Sequence, residues 1–474
     1  MLNIKIANKI KLNNTPREIE EVLSNVLTVP NPLYESARRY GYSTRGIENN
    51  ISLIGNKDGI LEIPRGMLQF LIQLLSERDI QFSLDDSRVI HKNMALHNNI
   101  KLRDCQIQPY NDIMNTLKLP FSQQGVIVAP AGFGKTTLGL YLIANLKQPA
   151  LWLSPTTPLI EQTIKEAINK GFDKDIIGII QKEKFNIRPI TIASVDTLVN
   201  RDFESISKNF GTVILDEAHH APACTFTTLL LGMHSMYVLG LTATDFRRDK
   251  LEFLMFDTIG PKIAYIDRSL ASTDSSLGLI SPEIILTFTG IEHGYTNPDT
   301  NREDYRYMVQ QIINNNYRNA VIIEDVVNEV KNGNRVVILS HRADHCQILS
   351  DMLLTRKINA SLAVAKTMTP KQVKESILRI KDNSSQVLVA TYQLIAEGFD
   401  CPELSCLFMA TPIAGNNKGL LIQTIGRIER ACAGKKIARV YDYVDSDGVL
   451  VASLNKRIQT YVERNLKFHF RYFE

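Results

Sequence analysis

The segment Ala129-Pro-Ala-Gly-Phe-Gly-Lys-Thr-Thr137 gathers two glycines, a lysine and two hydroxyls in one short stretch, the set a polyphosphate needs. Gly132 and Gly134 let backbone N–H groups turn inward around phosphate oxygens. Lys135 brings a positive charge to the β- and γ-phosphates. The Thr136 hydroxyl, followed by Thr137, can ligate Mg2+ at a helix N-terminus whose dipole favours anions. Ala129 stands where a first glycine is usual, at a position that ends the strand. A strand–helix turn that binds nothing is the plain alternative, and Gly-Lys-Thr in this context argues against it.

About 80 residues downstream, Thr212-Val-Ile-Leu-Asp-Glu217 ends an apolar run on two acids. Asp216 is suited to hold Mg2+ and Glu217 to polarise an attacking water. Alone, such a pair reads equally well as a solvated turn; downstream of a phosphate loop on a parallel sheet, the chemical reading is preferred. His219 and His220 follow, but adjacent residues cannot face one ion from a strand or a helix, so no zinc site is expected.

The second half has no phosphate loop. It has Gln423-Thr-Ile-Gly-Arg-Ile-Glu-Arg430. Read as a helix, this puts Gln423, Arg427 and Arg430 on one face at i, i+4, i+7, with Leu421, Ile425 and Ile428 on another. Two guanidinium groups on a stripe suit the charge of a γ-phosphate, because arginine stays charged and forms a planar fork. Two surface arginines on an amphipathic helix are the plain alternative.

These groups need strands that end together and a hinge. Residues 125–129, 150–154, 190–194, 212–217 and 237–244 read as buried strands alternating with helical segments. So do 335–340, 358–365, 386–391, 404–411 and 438–444, which predicts two parallel-sheet α/β domains. Between them, residues 266–282 are rich in Ser and Gly and read as a hinge, so the two domains would flank a cleft. Residues 1–97 read as a mixed α+β block, with a turn at 57–59 and a helix over 64–80 started by Pro64. The expected domains are 1–97, 98–262 and 263–474.

At 474 residues, with 44% hydrophobic and 22% charged positions, the chain is neither disordered nor a disulfide miniprotein. No run of ~18 apolar residues is present, so no membrane helix is expected. The N-terminal stretch alternates apolar and polar residues, unlike a secretory signal. The six cysteines include no CxxC pair, which points to a reducing cytoplasm. Net charge is +4, with 11 Lys/Arg against 6 Asp/Glu from Lys418 onward, a weak pointer to phosphates.

Taken in order, these segments resemble the motif set of superfamily 2 helicases of the DEAD/DEAH-box type. The carriers are Leu102-Arg-Asp-Cys-Gln106 (with Cys105 where an aromatic is usual), 129–136, 154–162, Asp216-Glu-Ala-His219, 241–244, 389–402 and 423–430. Within the superfamily the sequence is most similar to the XPB/UvsW-like DNA-repair and branch-migration group. The Pro-Arg-Gly at 64–66 in a short N-terminal domain fits that group, and the compact size suggests a phage-encoded member such as the T5-type phages carry. The resemblance implies two RecA-like domains flanking an ATP cleft, with ATP and Mg2+ as cofactors.

By the same resemblance, Gln106 would read adenine with support from Arg103, and Gly398 and Asp400 would contact nucleotide or relay between sites. His219, Thr242, Thr244 and Gln423 would couple hydrolysis to domain movement, and Arg427 and Arg430 would be arginine fingers. Pro155, Thr156, Ser194, Ser340, His341 and Thr391 would touch a nucleic-acid backbone without reading bases; for Ser194 and Ser340 a capping role is equally open. After 241–244 the family usually continues with Pro; here Asp245 follows, which leaves the roles of Arg247 and Arg248 open. The expected partner is DNA, bound by a monomer. An ATP-gated DNA clamp and an RNA helicase are the competing readings.

Overall fold

The computed structural model describes the chain apart from residues 40, 131, 221–223, 244–250, 268–278, 295, 298–301, 397–400, 433 and 473–474. Every segment read above as a strand is one. Backbone contacts divide the chain into two units, Met1–Asp267 and Arg268–Glu474.

Unit 1 begins with strands β1 (Leu2–Ile6) and β2 (Lys9–Asn13), a short ribbon of β3 (Thr28–Pro30) and β4 (Asn50–Ser52), then β5 (Gly55–Lys57), β6 (Ile60–Pro64) and β7 (Phe82–Asp86). The alternation at the N-terminus is that of a half-buried strand: Leu2, Ile4 and Ile6 point into a core while Asn3 and Lys5 are exposed. The five-stranded sheet runs β5-β6-β2-β1-β7. Its apolar face is covered by the helices Arg17–Leu27 and Leu68–Glu77.

The expected helix over 64–80 is corrected. Pro64 closes β6, residues Arg65–Met67 form a 3-10 turn, and the α-helix starts only at Leu68. The turn is a packing element. Arg65, 4% exposed, donates to the Met233 carbonyl at 2.9 Å, and burial together with Arg88 pulls its guanidinium down to about 9. A Cβ on Gly66 would run into the Asp257 carbonyl, so only glycine fits this approach.

Next come β8 (Gln124–Val128), β9 (Ala150–Ser154), β10 (Ile177–Gln181), β11 (Lys184–Asn186), β12 (Ile190–Ser194), β13 (Thr212–Leu215), β14 (Tyr237–Thr242) and β15 (Lys262–Tyr265). They form an eight-stranded sheet ordered β11-β10-β12-β9-β13-β14-β8-β15, all parallel except the β10–β11 hairpin. The central strands are buried along their whole length, which is why they read as continuous apolar runs rather than alternations.

Unit 2 repeats the plan with β16 (Glu283–Phe288), a ribbon of β17 (Thr296–Asn297) and β18 (Arg302–Glu303), then β19 (Val336–Ser340), β20 (Ala360–Ala363), β21 (Val387–Thr391), β22 (Cys406–Met409), β23 (Arg439–Val444) and β24 (Phe468–Tyr472). The seven-stranded sheet runs β20-β21-β19-β22-β23-β16-β24, and its register pairs are parallel. Apolar clusters fill both faces. No helix among the described residues is long and apolar enough to cross a membrane.

Candidate functional site

Parallel strands end at one edge, and in unit 1 that edge collects most of the expected groups. β8 runs into the glycine loop, and the helix Lys135–Leu146 leaves it. Gly132 and Gly134 have φ of 82° and 88°, the left-handed region that a side chain resists. At Gly134 a Cβ would also lie 2.7 Å from Gln106 Nε2. Thr136 is half-buried in the first helical turn, and Lys135 Nζ donates to the Ala129 carbonyl at 3.3 Å.

Gln106 is fully buried against this loop. Its Nε2 donates to the Phe133 carbonyl at 2.8 Å, and its Oε1 accepts the Arg103 N–H at 3.0 Å. The residue expected to read a base therefore also clasps the phosphate loop to the start of the helix Asp104–Lys118. Thr137 turns elsewhere: its hydroxyl donates to Glu166 Oε1 at 3.1 Å, on the helix Thr157–Asn169. Composition gave no signal for Glu166.

Asp216 and Glu217 follow β13 directly. Asp216 is 5% exposed, and its carboxyl is pushed up to about 7 by burial, then by the Glu217 charge, against the opposing pull of Lys135. A buried carboxylate in excess of its cation suits a divalent metal, and Thr136 with Asp216 is an oxygen donor set that Mg2+ accepts. Glu217 has φ of 49°, a strained value for a non-glycine residue of the kind that functional sites hold, and its N–H donates to Asp216 Oδ1 at 3.0 Å. His219 Nδ1 lies 3.2 Å from Thr242 Oγ1 and 3.4 Å from Glu217 Oε2, joining the end of β14 to the acidic segment. Thr244, with Asp245, Arg247 and Arg248, lies outside the described residues.

On the other side of β13, β9 ends at Ser154 and β12 at Ser194, paired in register. Pro155 and Thr156 are half-buried just past β9, with Thr156 at the N-cap position of the next helix; Ser194 is half-buried. All stand on the same sheet edge as the phosphate loop.

In unit 2, the expected helix through Gln423–Arg430 is corrected. The helix is Lys418–Gly426, and Arg427 is its C-cap. Gln423 and Arg427 keep their i, i+4 relation, but Arg430 lies beyond, in an antiparallel bridge with Leu279. Leu421, Ile425 and Ile428 are buried as expected. The segment is fixed by remote groups: buried Glu429 pairs with Arg464 at 3.0 Å, and Lys435 Nζ donates to the carbonyls of Arg430 at 2.7 Å and Pro402 at 3.0 Å. Burial pulls Lys435 down to about 8. Gly398 and Asp400 lie outside the described residues, as do 268–278 of the expected hinge.

For Ser340 the structure favours the capping role that the sequence left open. It is 1% exposed, its Oγ lies 3.0 Å from His345 Nδ1, and it accepts the Arg342 N–H at 3.1 Å. His345 Nε2 faces the Asn319 Oδ1 acceptor at 2.9 Å, so Nε2 carries the proton and Nδ1 accepts from Ser340. Its hydroxyl proton is thus committed inward, which makes Ser340 a support for the loop rather than a phosphate contact. His341 is exposed, packs on the Tyr392 ring at 4.5 Å and donates its N–H to Thr411 Oγ1 at 2.8 Å. Thr391, half-buried, ends β21 in register with Ser340.

Two family descriptions match the chain: "Type III restriction enzyme, res subunit" over residues 99–247 and "Helicase conserved C-terminal domain" over 318–432. "Probable helicase D10" of Escherichia phage T5 is 29% identical over 399 residues, 82% of this chain and 81% of that one. "DNA 3'-5' translocase XPB2" of Sulfurisphaera tokodaii is 36% identical over 162 residues, about a third of either chain (34% and 35%). Among solved structures, Saccharomyces cerevisiae Dbp5 bound to RNA and ADP BeF3 aligns with 77% of this chain and 89% of its own at a TM-score of 0.55 and 14% identity, a likeness of fold alone.

Proposed function

The chain belongs to the superfamily 2 helicases and hydrolyses ATP, and from that premise we propose that it is a DNA translocase that remodels branched or forked DNA. One observation supports this most: adjacent parallel strands of unit 1 end with the phosphate loop, Asp216-Glu217, Thr242 and the small polar residues Pro155, Thr156 and Ser194 on a single edge. Nucleotide chemistry and backbone tracking would then share one rigid element, with His219 and Thr242 between them.

In this reading Lys135 neutralises the β- and γ-phosphates, and Thr136 and Asp216 would hold Mg2+, which supplies charge neutralisation when bound. Glu217 orients the attacking water and takes its proton. Arg427 and Arg430 meet the γ-phosphate charge during turnover. Thr391 and His341 of unit 2 hold the strand by its backbone, as Pro155, Thr156 and Ser194 do in unit 1. Alternating grips then advance the chain by population shift.

The similarity to a protein named as a DNA translocase favours DNA over RNA as the polymer. The test is ATPase stimulation by single-stranded, duplex, forked and four-way-junction DNA and by RNA, beside strand- and triplex-displacement assays. Forked or junction DNA should stimulate most, with triplex displacement. Stimulation by RNA alone would replace this reading with an RNA helicase. Stimulation without either displacement would leave a DNA clamp.

A further inference from the structure

The outermost strands of the unit 1 sheet carry a feature that the nucleotide chemistry does not use. β10 is parallel to β12, so it ends at the edge that bears Ser154 and Ser194, and there it turns back into β11. The turn is tight: Gln181 pairs with Lys184 across Lys182 and Glu183, and Lys182 takes φ of 51°. Residues 182–186 are all exposed.

The tip is tied to the edge. Gln181 Nε2 donates to Thr157 Oγ1 at 2.9 Å, immediately after Thr156, and the Lys182 N–H donates to Thr197 Oγ1 at 3.0 Å, just past Ser194. Arg201 donates from Nη2 to the Lys182 carbonyl at 3.0 Å and lies over the Phe185 ring, 4.8 Å from its centroid. Phe185 is nonetheless 47% exposed. No ion pair among the described residues engages Lys182, Lys184 or Arg201. Glu183 is the one acid between the two lysines.

An exposed ring alone means little. Here the ring is held against a guanidinium, on a pinned hairpin that also carries Lys182 and Lys184, about two strand spacings (~10 Å) beyond Ser194. Aromatic stacking backed by cations is how proteins hold unpaired bases without reading them.

We propose that the Lys182–Phe185 hairpin, with Arg201, is a binding site for unpaired nucleotides, where Phe185 stacks on a base and Lys182 and Lys184 meet the flanking phosphates. The proposal rests on the reading that Pro155, Thr156 and Ser194 follow a nucleic-acid backbone, and it adds single-strand preference at that path's outer end.

The test uses the full chain, a fluorescein-labelled oligo(dT) and a blunt duplex of equal length, read by anisotropy across a salt series. Phe185→Leu keeps apolar bulk and removes the stacking ring. It should weaken oligo(dT) binding about tenfold, change duplex binding less than twofold, and leave ATPase without nucleic acid unchanged. Phe185→Trp should restore the affinity. Lys182→Gln with Lys184→Gln should flatten the slope of log affinity against log salt by roughly 1.4, about 0.7 per strand phosphate. Unaltered oligo(dT) affinity in Phe185→Leu, or equal losses on both probes, would overturn the hairpin assignment while wild-type stimulation by nucleic acid leaves the motor reading standing. A wild-type chain that neither binds nor responds to any nucleic acid would overturn both.

Discussion

The phosphate loop of unit 1 and the arginine segment of unit 2 are held in opposite ways. The loop's shape is written in its own residues: left-handed glycines at 132 and 134, a strand before it and a helix after it. The arginine segment takes its shape from elsewhere. Its helix stops at Gly426, and Arg430 is placed by Leu279, Lys435 and the Glu429–Arg464 pair. A site set by local backbone geometry survives many changes around it, whereas one set by remote ties depends on residues that never approach the nucleotide.

The sharpest way to break that contrast is to remove one charge from each side. Lys135→Ala should abolish hydrolysis and weaken nucleotide binding. Arg430→Ala should cut turnover by about 10^3-fold with nucleotide binding retained. Steady-state ATPase beside binding of a fluorescent ATP analogue separates them. If Arg430→Ala loses binding instead, Arg430 belongs to ground-state recognition, and the difference between the two regions shrinks.

The same contrast explains what could be read from residues alone. Buried parallel strands announce themselves as apolar runs, and the Asp216-Glu217 pair follows its strand without interruption, so their placement was legible. Periodicity could not see that Gln423–Arg430 leaves the helix at Gly426. The cause is a bridge to Leu279, about 150 residues earlier, and spacing carries no trace of it. Pro64 misled for a related reason: it closes a strand, and buried Arg65 holds the chain on the Met233 carbonyl before a helix can begin. For Ser340 a backbone contact and a capping role stayed equally open in the sequence, because its commitment to His345 is visible only in three dimensions. The Lys182–Phe185 hairpin was overlooked because two short strands around a Lys-Glu turn lack the usual Asn-Gly signal.

Removing a remote tie should cost stability rather than chemistry. Glu429→Ala takes the buried carboxylate away from half-buried Arg464, and about 3 kcal/mol of unit 2 stability should go with it. Calorimetry should show the loss as a lowered transition for that unit. A variant with full stability and reduced turnover would place Glu429 in the chemistry and sharpen the boundary differently.

A smaller effect follows from His345. Burial, then the nearby Arg318 charge, pulls it down to about 3, whereas an unfolded histidine takes its proton near 6.5. Between those values the unfolded chain binds more protons, so stability is full above about pH 6.5 and declines as pH falls. By pH 5 the loss should be about 2 kcal/mol. Urea unfolding of wild type and His345→Gln at pH 7 and pH 5 should show the variant less stable at pH 7 but flatter by that amount. An equal slope in both would remove His345 as the source.

The smallest test returns to the loop itself. The sequence places Thr137 among nucleotide-binding residues, but its hydroxyl donates to Glu166, a partner on the neighbouring helix. Even within the local site, one residue is thus held remotely. Thr137→Val keeps the shape and removes the donor, so about 1 kcal/mol of stability should be lost. Turnover and nucleotide affinity should change less than twofold. The opposite result, tenfold weaker nucleotide binding at unchanged stability, would mean that Thr137 turns from Glu166 to the phosphates when nucleotide arrives.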